Sequence, residues 1–187
     1  AQYLKDIYAS VVIKDIVKRN KLRDVDLLER IIAYSVANIG RTFSANSIAS
    51  YFKSERRNVA VDTIINYLKC CEKAFLFYKI NRVDLEGKEI LQINEKYYLA
   101  DHGLRQALYG NNQRDIEMIL ENIVCLELLR RGYKVTIGKV GTKEIDFVCD
   151  KDGKRIYIQV CYLLASEKTE KREFGVYEDI KDNYPKY

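Results

Sequence analysis

Between Glu144 and Cys161 the chain holds two short apolar runs separated by a tight turn, and this constrains the fold more than any other stretch. Glu144-Ile-Asp-Phe-Val148 and Ile156-Tyr-Ile-Gln-Val-Cys161 flank Lys151-Asp-Gly-Lys154, so the two runs read as a β-hairpin. Strands are predicted over Tyr133–Lys139, Glu144–Cys149 and Ile156–Leu163. A long helix, Asp115–Arg131, precedes them and stops at Gly132, a suitable C′ residue. A second helix, Ser166–Lys181, follows from a Ser or Glu cap. Helix, three strands, helix with an apolar third strand is an α/β sheet layout.

The first half follows a different rhythm. Tyr3–Val17 places Leu4, Ile7, Tyr8, Val11 and Val12 on one helical face, within a helix reaching Arg19. Asp26–Ile39 does the same with Leu27, Leu28, Ile31, Ile32 and Ser35. Ser44–Phe52 is a short helix with Ser44 as N-cap. Asp62 precedes a longer helix, Thr63–Ala74. Then the period changes: Phe75–Val83 reads as a strand, and Ile90–Ile93 with Tyr97–Ala100 as its return. The turn between them, Asp84–Glu89, has Gly87 supplying the special backbone angle. Three helices followed by a two-stranded wing is the layout of a winged helix-turn-helix, with Thr63–Ala74 as recognition helix. Gly103–Asn112 reads as a linker. The expected organisation is α+β: residues 1–105 form a helical segment plus winged helix, and residues 113–187 a small α/β domain.

At 187 residues and nearly half hydrophobic, the chain can bury a core in one or two domains. Net charge is +5, mildly basic and compatible with nucleic acid. No apolar run is long enough to span a membrane. The five cysteines, Cys70, Cys71, Cys125, Cys149 and Cys161, include no C-x-x-C pair, and His102 is the single histidine. They read as buried thiols in a reducing, cytoplasmic setting rather than a zinc site. The first helix starts without a cap, and the chain stops just after Pro185 with no terminal element. Both ends therefore read as cut from a longer protein.

Glu121 on a helix, Asp146 on a strand and a further polar position on the next strand follow the order of a two-metal nuclease core. In such a core carboxylates hold magnesium, which polarises the phosphate and generates hydroxide. Asp146 fits the bridging carboxylate. Glu144 lies two residues earlier, so both project from the same face of a strand. Glu121, Glu144 and Asp146 are the candidate metal ligands, and Glu121, Asp146 and Gln159 the candidate catalytic positions of a degenerate site. Gln159 stands where the second acid belongs, and Cys161 where a lysine belongs. A neutral thiol cannot orient the nucleophile as an ammonium does. Losing one catalytic donor costs about 10²–10³ in rate. Lys143 and Lys139, from the neighbouring strand, are the candidate substitutes for that lysine, and Cys161 itself reads as a small core residue.

Several spaced segments agree, in order, with one family. They are Tyr3-Leu-Lys-Asp-Ile-Tyr8, Asn66-Tyr-Leu-Lys69, Glu121-Asn-Ile-Val-Cys-Leu-Glu-Leu-Leu-Arg-Arg-Gly-Tyr133, Lys143-Glu-Ile-Asp-Phe-Val148, Tyr157-Ile-Gln-Val-Cys161, Arg172-Glu-Phe-Gly175 and Asn183-Tyr-Pro-Lys186. Together they resemble the C-terminal region of prokaryotic AAA-type ATPases. The resemblance implies an ATPase module in cis before residue 1 and a distal domain of the restriction-endonuclease-like, PD-(D/E)xK type, truncated at its end. The chain has no G-x-x-x-x-G-K-[ST] loop, so ATP would be held only by that upstream module.

The expected function is therefore a nucleic-acid-binding or regulatory module without catalysis, with DNA as candidate partner and magnesium as candidate cofactor. Phosphate contacts are expected from Lys53, Arg56 and Arg57, with Asn58 beside them. Asn66 and Lys69 on the recognition helix and Lys88 on the wing complete the set. The alternatives are a magnesium-dependent DNA nuclease with a relocated lysine, and a protein-interaction module. Oligomeric state and the coupling to ATP hydrolysis are not legible in the sequence.

Overall fold

The computed structural model describes residues 2–87, 89–110, 116–163 and 166–187, without the side chains of 89–94, 109 and 168. The chain is mixed α/β and divides into two compact units. One comprises Ala1–Lys79 with Tyr97–Asn111, the other Ile80–Lys96 with Asn112–Tyr187. The outer part of the hairpin, placed with residues 1–105 by the sequence reading, thus groups with the C-terminal segment.

In the first unit α1 (Gln2–Ser10) runs on into a π-helical segment, Val11–Lys18. Asp24 caps α2 (Val25–Ala37), its carboxylate accepting the Leu27 N–H. Ser44 caps α3 (Ala45–Ser54) through a reciprocal box with Ser47, as its position before the apolar run predicts. Asp62 lies inside α4 (Val61–Lys73), which Ala60 precedes without any side-chain cap. The apolar faces of α2, α3 and α4 meet in a core with Leu28, Ile31, Ile32, Ile48, Phe52 and Ile64 fully enclosed. Burying each such side chain contributes about 1.5–3 kcal/mol. The short strand β1 (Thr42–Phe43) neighbours β3, and Phe43 stacks on Tyr97 at 4.9 Å. The stretch read as a linker is helical instead: α5 (His102–Tyr109) is capped by Asp101, whose carboxylate accepts the Gly103 N–H. An Asx cap started a helix in a segment with weak apolar periodicity.

β2 (Phe77–Asp84) and β3 (Glu89–Leu99) form the hairpin. Gly87 does not adopt a left-handed backbone. The Asp84 carboxylate makes the turn instead, accepting the N–H groups of Glu86 and Gly87. Lys88 lies outside the described residues.

In the second unit the strand order is β3-β2-β4-β5-β6, with β4 (Lys134–Val140) parallel to β2, and β5 (Lys143–Lys151) and β6 (Lys154–Ile158) antiparallel in turn. Asp152 and Gly153 both take positive φ in the β5–β6 turn, as a two-residue hairpin requires. The helix α6 (Ile116–Arg130) packs on β4 and β5, burying Asn122, Cys125 and Leu128, one residue per turn of a single stripe. Gly132 follows it in the left-handed conformation. Ser166 caps α7 (Glu167–Phe174), which ends in a 3₁₀ turn over Gly175–Asp179 rather than running to Lys181. A small core of Val140, Ile145, Val148, Tyr157 and Val176 lies beneath it.

Two features depart from the sequence reading. β6 ends at Ile158, so Gln159, Val160 and Cys161 follow the strand rather than lying within it. The C-terminal residues do form an element: Lys186 bridges Tyr157 in parallel. Tyr157 N–H donates to the Pro185 carbonyl, Tyr187 N–H to the Tyr157 carbonyl and Gln159 N–H to the Tyr187 carbonyl. A segment too short to show alternation is held by an edge that only the folded sheet offers.

Candidate functional site

The geometry of the site begins with a register shift. On β4 a single residue, Ile137, separates Thr136 (paired with Val148) from Gly138 (paired with Ile145), whereas Asp146 and Phe147 fill the same interval on β5. Two residues oppose one, which is a β-bulge. The bulge resets the alternation, so Ile145 and Val148 share the apolar core while Glu144 and Asp146 project from the other face. The Asp146 N–H, within the bulged interval, donates to Gln159 Oε1 at 3.2 Å. In return Asp146 Oδ2 accepts the Val160 N–H at 2.8 Å. Gln159 thus binds backbone, and its amide oxygen is already engaged.

The carboxylates predicted as a cluster do converge, on a residue that the sequence reading did not single out. Lys96 Nζ lies 2.8 Å from Glu121 Oε1, 2.7 Å from Glu144 Oε1 and 3.8 Å from Asp146 Oδ1. Its side chain is 4% exposed, that of Asp146 14% and that of Glu144 30%. The lysine comes from β3, three residues before its end at Leu99. Neither substitute considered from sequence reaches the cluster: Lys143 pairs with Asp179 and Lys139 lies beside Asp84. Arg82 from β2 adds a second cation, its Nη2 3.4 Å from Glu144, while its Nε is buried without a hydrogen-bond partner among the described residues. The one signal that could have found Lys96 is a charged residue immediately before the apolar Tyr97-Tyr-Leu99 run.

The electrostatics follow from the burial. Burial pushes the Asp146 carboxyl up, the neighbouring Glu121 charge pushes it further, and Lys96 with the Val160 N–H only partly opposes this, leaving it at about 7. Burial works against the Lys96 charge, but Glu121, Glu144 and Asp146 together outweigh it and raise its pKa. Burial, with Glu121 alongside, also pushes the Cys125 thiol up.

Magnesium fits this arrangement poorly as it stands. The ammonium occupies the space among the carboxylates, and no group of three or more His, Cys, Asp or Glu among the described residues is arranged to hold a metal ion. Cys161, expected in the core, is half-buried, its Sγ donating to the Leu163 carbonyl. The other four cysteines are buried and free.

The expected phosphate contacts are unequal. Lys53 is exposed in the last turn of α3, and Arg56 and Asn58 are exposed between α3 and α4. Asn66 and Lys69 are exposed on α4. Arg57 is bound internally instead, pairing with Asp24 at 2.7 Å and with Asp26. Its guanidinium ties the segment before α4 to the start of α2, a role invisible in a local run of basic residues. Elsewhere, a cavity of about 820 Å³ in the second unit is lined by Arg155, Tyr157, Asp179, Asp182 and Tyr184 among others. Several of its polar groups are paired: Arg155 with Asp150, Tyr157 with Asp182 and Asp179 with Lys143. Among the described residues no helix is long and apolar enough to cross a membrane.

The chain is 39% identical over 183 residues to an uncharacterised protein of Haemophilus influenzae, covering 98% of this chain and 45% of that relative. It is 28% identical over 186 residues to an uncharacterised protein of Methanocaldococcus jannaschii, covering 97% of this chain and 41% of that one. The chain thus spans less than half the length of each of these relatives. No solved structure matches it. Residues 1–115 match the family model described as a domain of unknown function, DUF8612, and the chain belongs to that family.

Proposed function

We propose that this chain is a nucleic-acid-binding or regulatory module of a longer AAA-type ATPase, made of a winged helix and a restriction-endonuclease-like domain that does not cleave as it stands. The observation that carries this reading is the burial of Lys96 among Glu121, Glu144 and Asp146. A nuclease centre needs carboxylates open to metal and phosphate. Here they are engaged by an internal ammonium at 4% exposure. The nuclease-like reading is supported by the order α6, β4, β5, β6, α7 with a C-terminal parallel edge, and by the placement of Glu121 and Asp146. The ATPase context is supported by the sequence resemblance and by the length of each relative beyond the match.

Binding would rest on Lys53 and Arg56, exposed ahead of α4, with Asn66 and Lys69 on the helix itself. Such contacts give salt-dependent affinity with little sequence choice. The test is binding of single- and double-stranded DNA at low and moderate salt, beside a Lys53→Ala, Arg56→Ala double variant. No binding at low salt, or equal binding by the variant, overturns the nucleic-acid arm.

A second reading, a magnesium-dependent nuclease with a relocated lysine, is favoured by the presence of Lys96 itself, which brings an ammonium to the carboxylates that Cys161 cannot serve. Cleavage of linear, branched or single-stranded DNA with magnesium or manganese, lost in Lys96→Met, would establish it in place of the first.

A further inference from the structure

We propose that Lys96 is the resident cation of this cluster, a tethered ammonium replacing the divalent metal ion that the nuclease-like reading would place there. The inference rests on that reading and goes beyond it, since it assigns the domain a cation of its own. Asp146 has one oxygen committed to the Val160 N–H, and its other oxygen, Oδ1, faces Lys96. Gln159 has its amide oxygen on the Asp146 N–H. Glu121 and Glu144 each direct an oxygen at the same ammonium within 2.8 Å. A metal ion entering here would have to displace the Lys96 ammonium from all three carboxylates, breaking a buried ion-pair cluster. The lysine also stands at a boundary: it is the last residue of the hairpin part of the second unit, and Tyr97 belongs to the first.

Without Lys96, three half-buried carboxylates would lose the ammonium they share, with Arg82 still beside Glu144. Such a cluster must either take up protons or recruit an external cation.

The test is manganese titration by calorimetry on the full chain in three forms: native, Lys96→Gln, and Lys96→Gln with Asp146→Asn. The native chain is expected to show weak surface binding only. Lys96→Gln should bind at least about tenfold more tightly, and the double variant should lose that gain. Equal affinity in native and Lys96→Gln proteins, or a folded Lys96→Gln that binds no better, overturns the proposal. Should Lys96→Gln not fold, ¹⁵N-lysine NMR on the native chain decides instead. One ammonium protected from solvent exchange at neutral pH supports the resident cation, and the absence of any protected ammonium overturns it. DNA binding read on the same native sample separates the two claims, because its failure removes the nucleic-acid reading and leaves the manganese result standing.

Discussion

Asp146 and Gln159 hold each other through backbone and side chain at once: Gln159 Oε1 accepts the Asp146 N–H, and the Asp146 carboxylate accepts the N–H of the residue after Gln159. The N–H that this clasp satisfies lies within the bulged interval of β5. Gln159→Ala should therefore destabilise the chain by about 1–3 kcal/mol, the cost of an unsatisfied buried donor. Gln159→Glu keeps an acceptor but adds a fourth carboxylate, and should leave Asp146 harder to ionise. Urea unfolding of the two variants, with the Asp146 titration followed by NMR, checks both.

Lys96→Met leaves the carboxylates without their ammonium. A loss of about 3–5 kcal/mol is expected, as when one partner of a buried ion pair is removed. Adding Asp146→Asn should restore part of it, because the carboxyl already pushed furthest up no longer has to take up a proton on folding. A double-mutant cycle by thermal or urea unfolding measures the recovery, and strict additivity would count against a shared cluster.

The pH dependence follows from Asp146. Its folded pKa, near 7, lies above the usual carboxylate value of 3.8. The folded chain therefore holds a proton that the unfolded chain has released across this interval. Stability should fall as pH rises from about 4 to 7, then level off. Lys96, raised from 10.5, begins to lose its proton only at strongly alkaline pH and does not enter this window. Melting temperatures between pH 5 and 8 should decline in the native chain and stay flatter in Asp146→Asn.

Gly138 faces β5 where the register shifts. A methyl group there would come within 2.8 Å of Val148 Cγ2 and 3.1 Å of Ile145 Cβ. Gly138→Ala should cost about 1–3 kcal/mol through overpacking. Since Val148 and Ile145 flank Asp146, the variant should also disturb the Lys96 cluster, visible as a changed Asp146 titration.

On the proposed nucleic-acid reading, Arg57 and Lys53 should behave differently. Arg57→Ala should lower stability by loosening the tie to Asp24 and Asp26, yet change the salt dependence of DNA affinity little. Lys53→Ala should reduce the slope of log affinity against log salt by about one unit and leave melting unchanged. The reverse pattern would reassign both residues.

What the sequence determined by itself was local. Periods of 3.6 and 2 placed the helices and strands, Ser44 and Ser166 marked two helix starts, and Asp152-Gly153 marked a hairpin, because each rests on residues within a few positions of one another. The carboxylates of the candidate site were legible for the same reason, Glu144 and Asp146 by strand alternation. The fold alone decided which cation meets them. Lys96 is separated by 25 residues from Glu121 and by 48 from Glu144, and a lone lysine beside an apolar strand carries no local mark of burial. The bulge that brings Val148 onto the face of Ile145, the carbonyls that hold Tyr187, and the capture of Arg57 by Asp24 and Asp26 likewise arise between distant segments. They are set by register and burial, which come into being only when the sheet and helices pack.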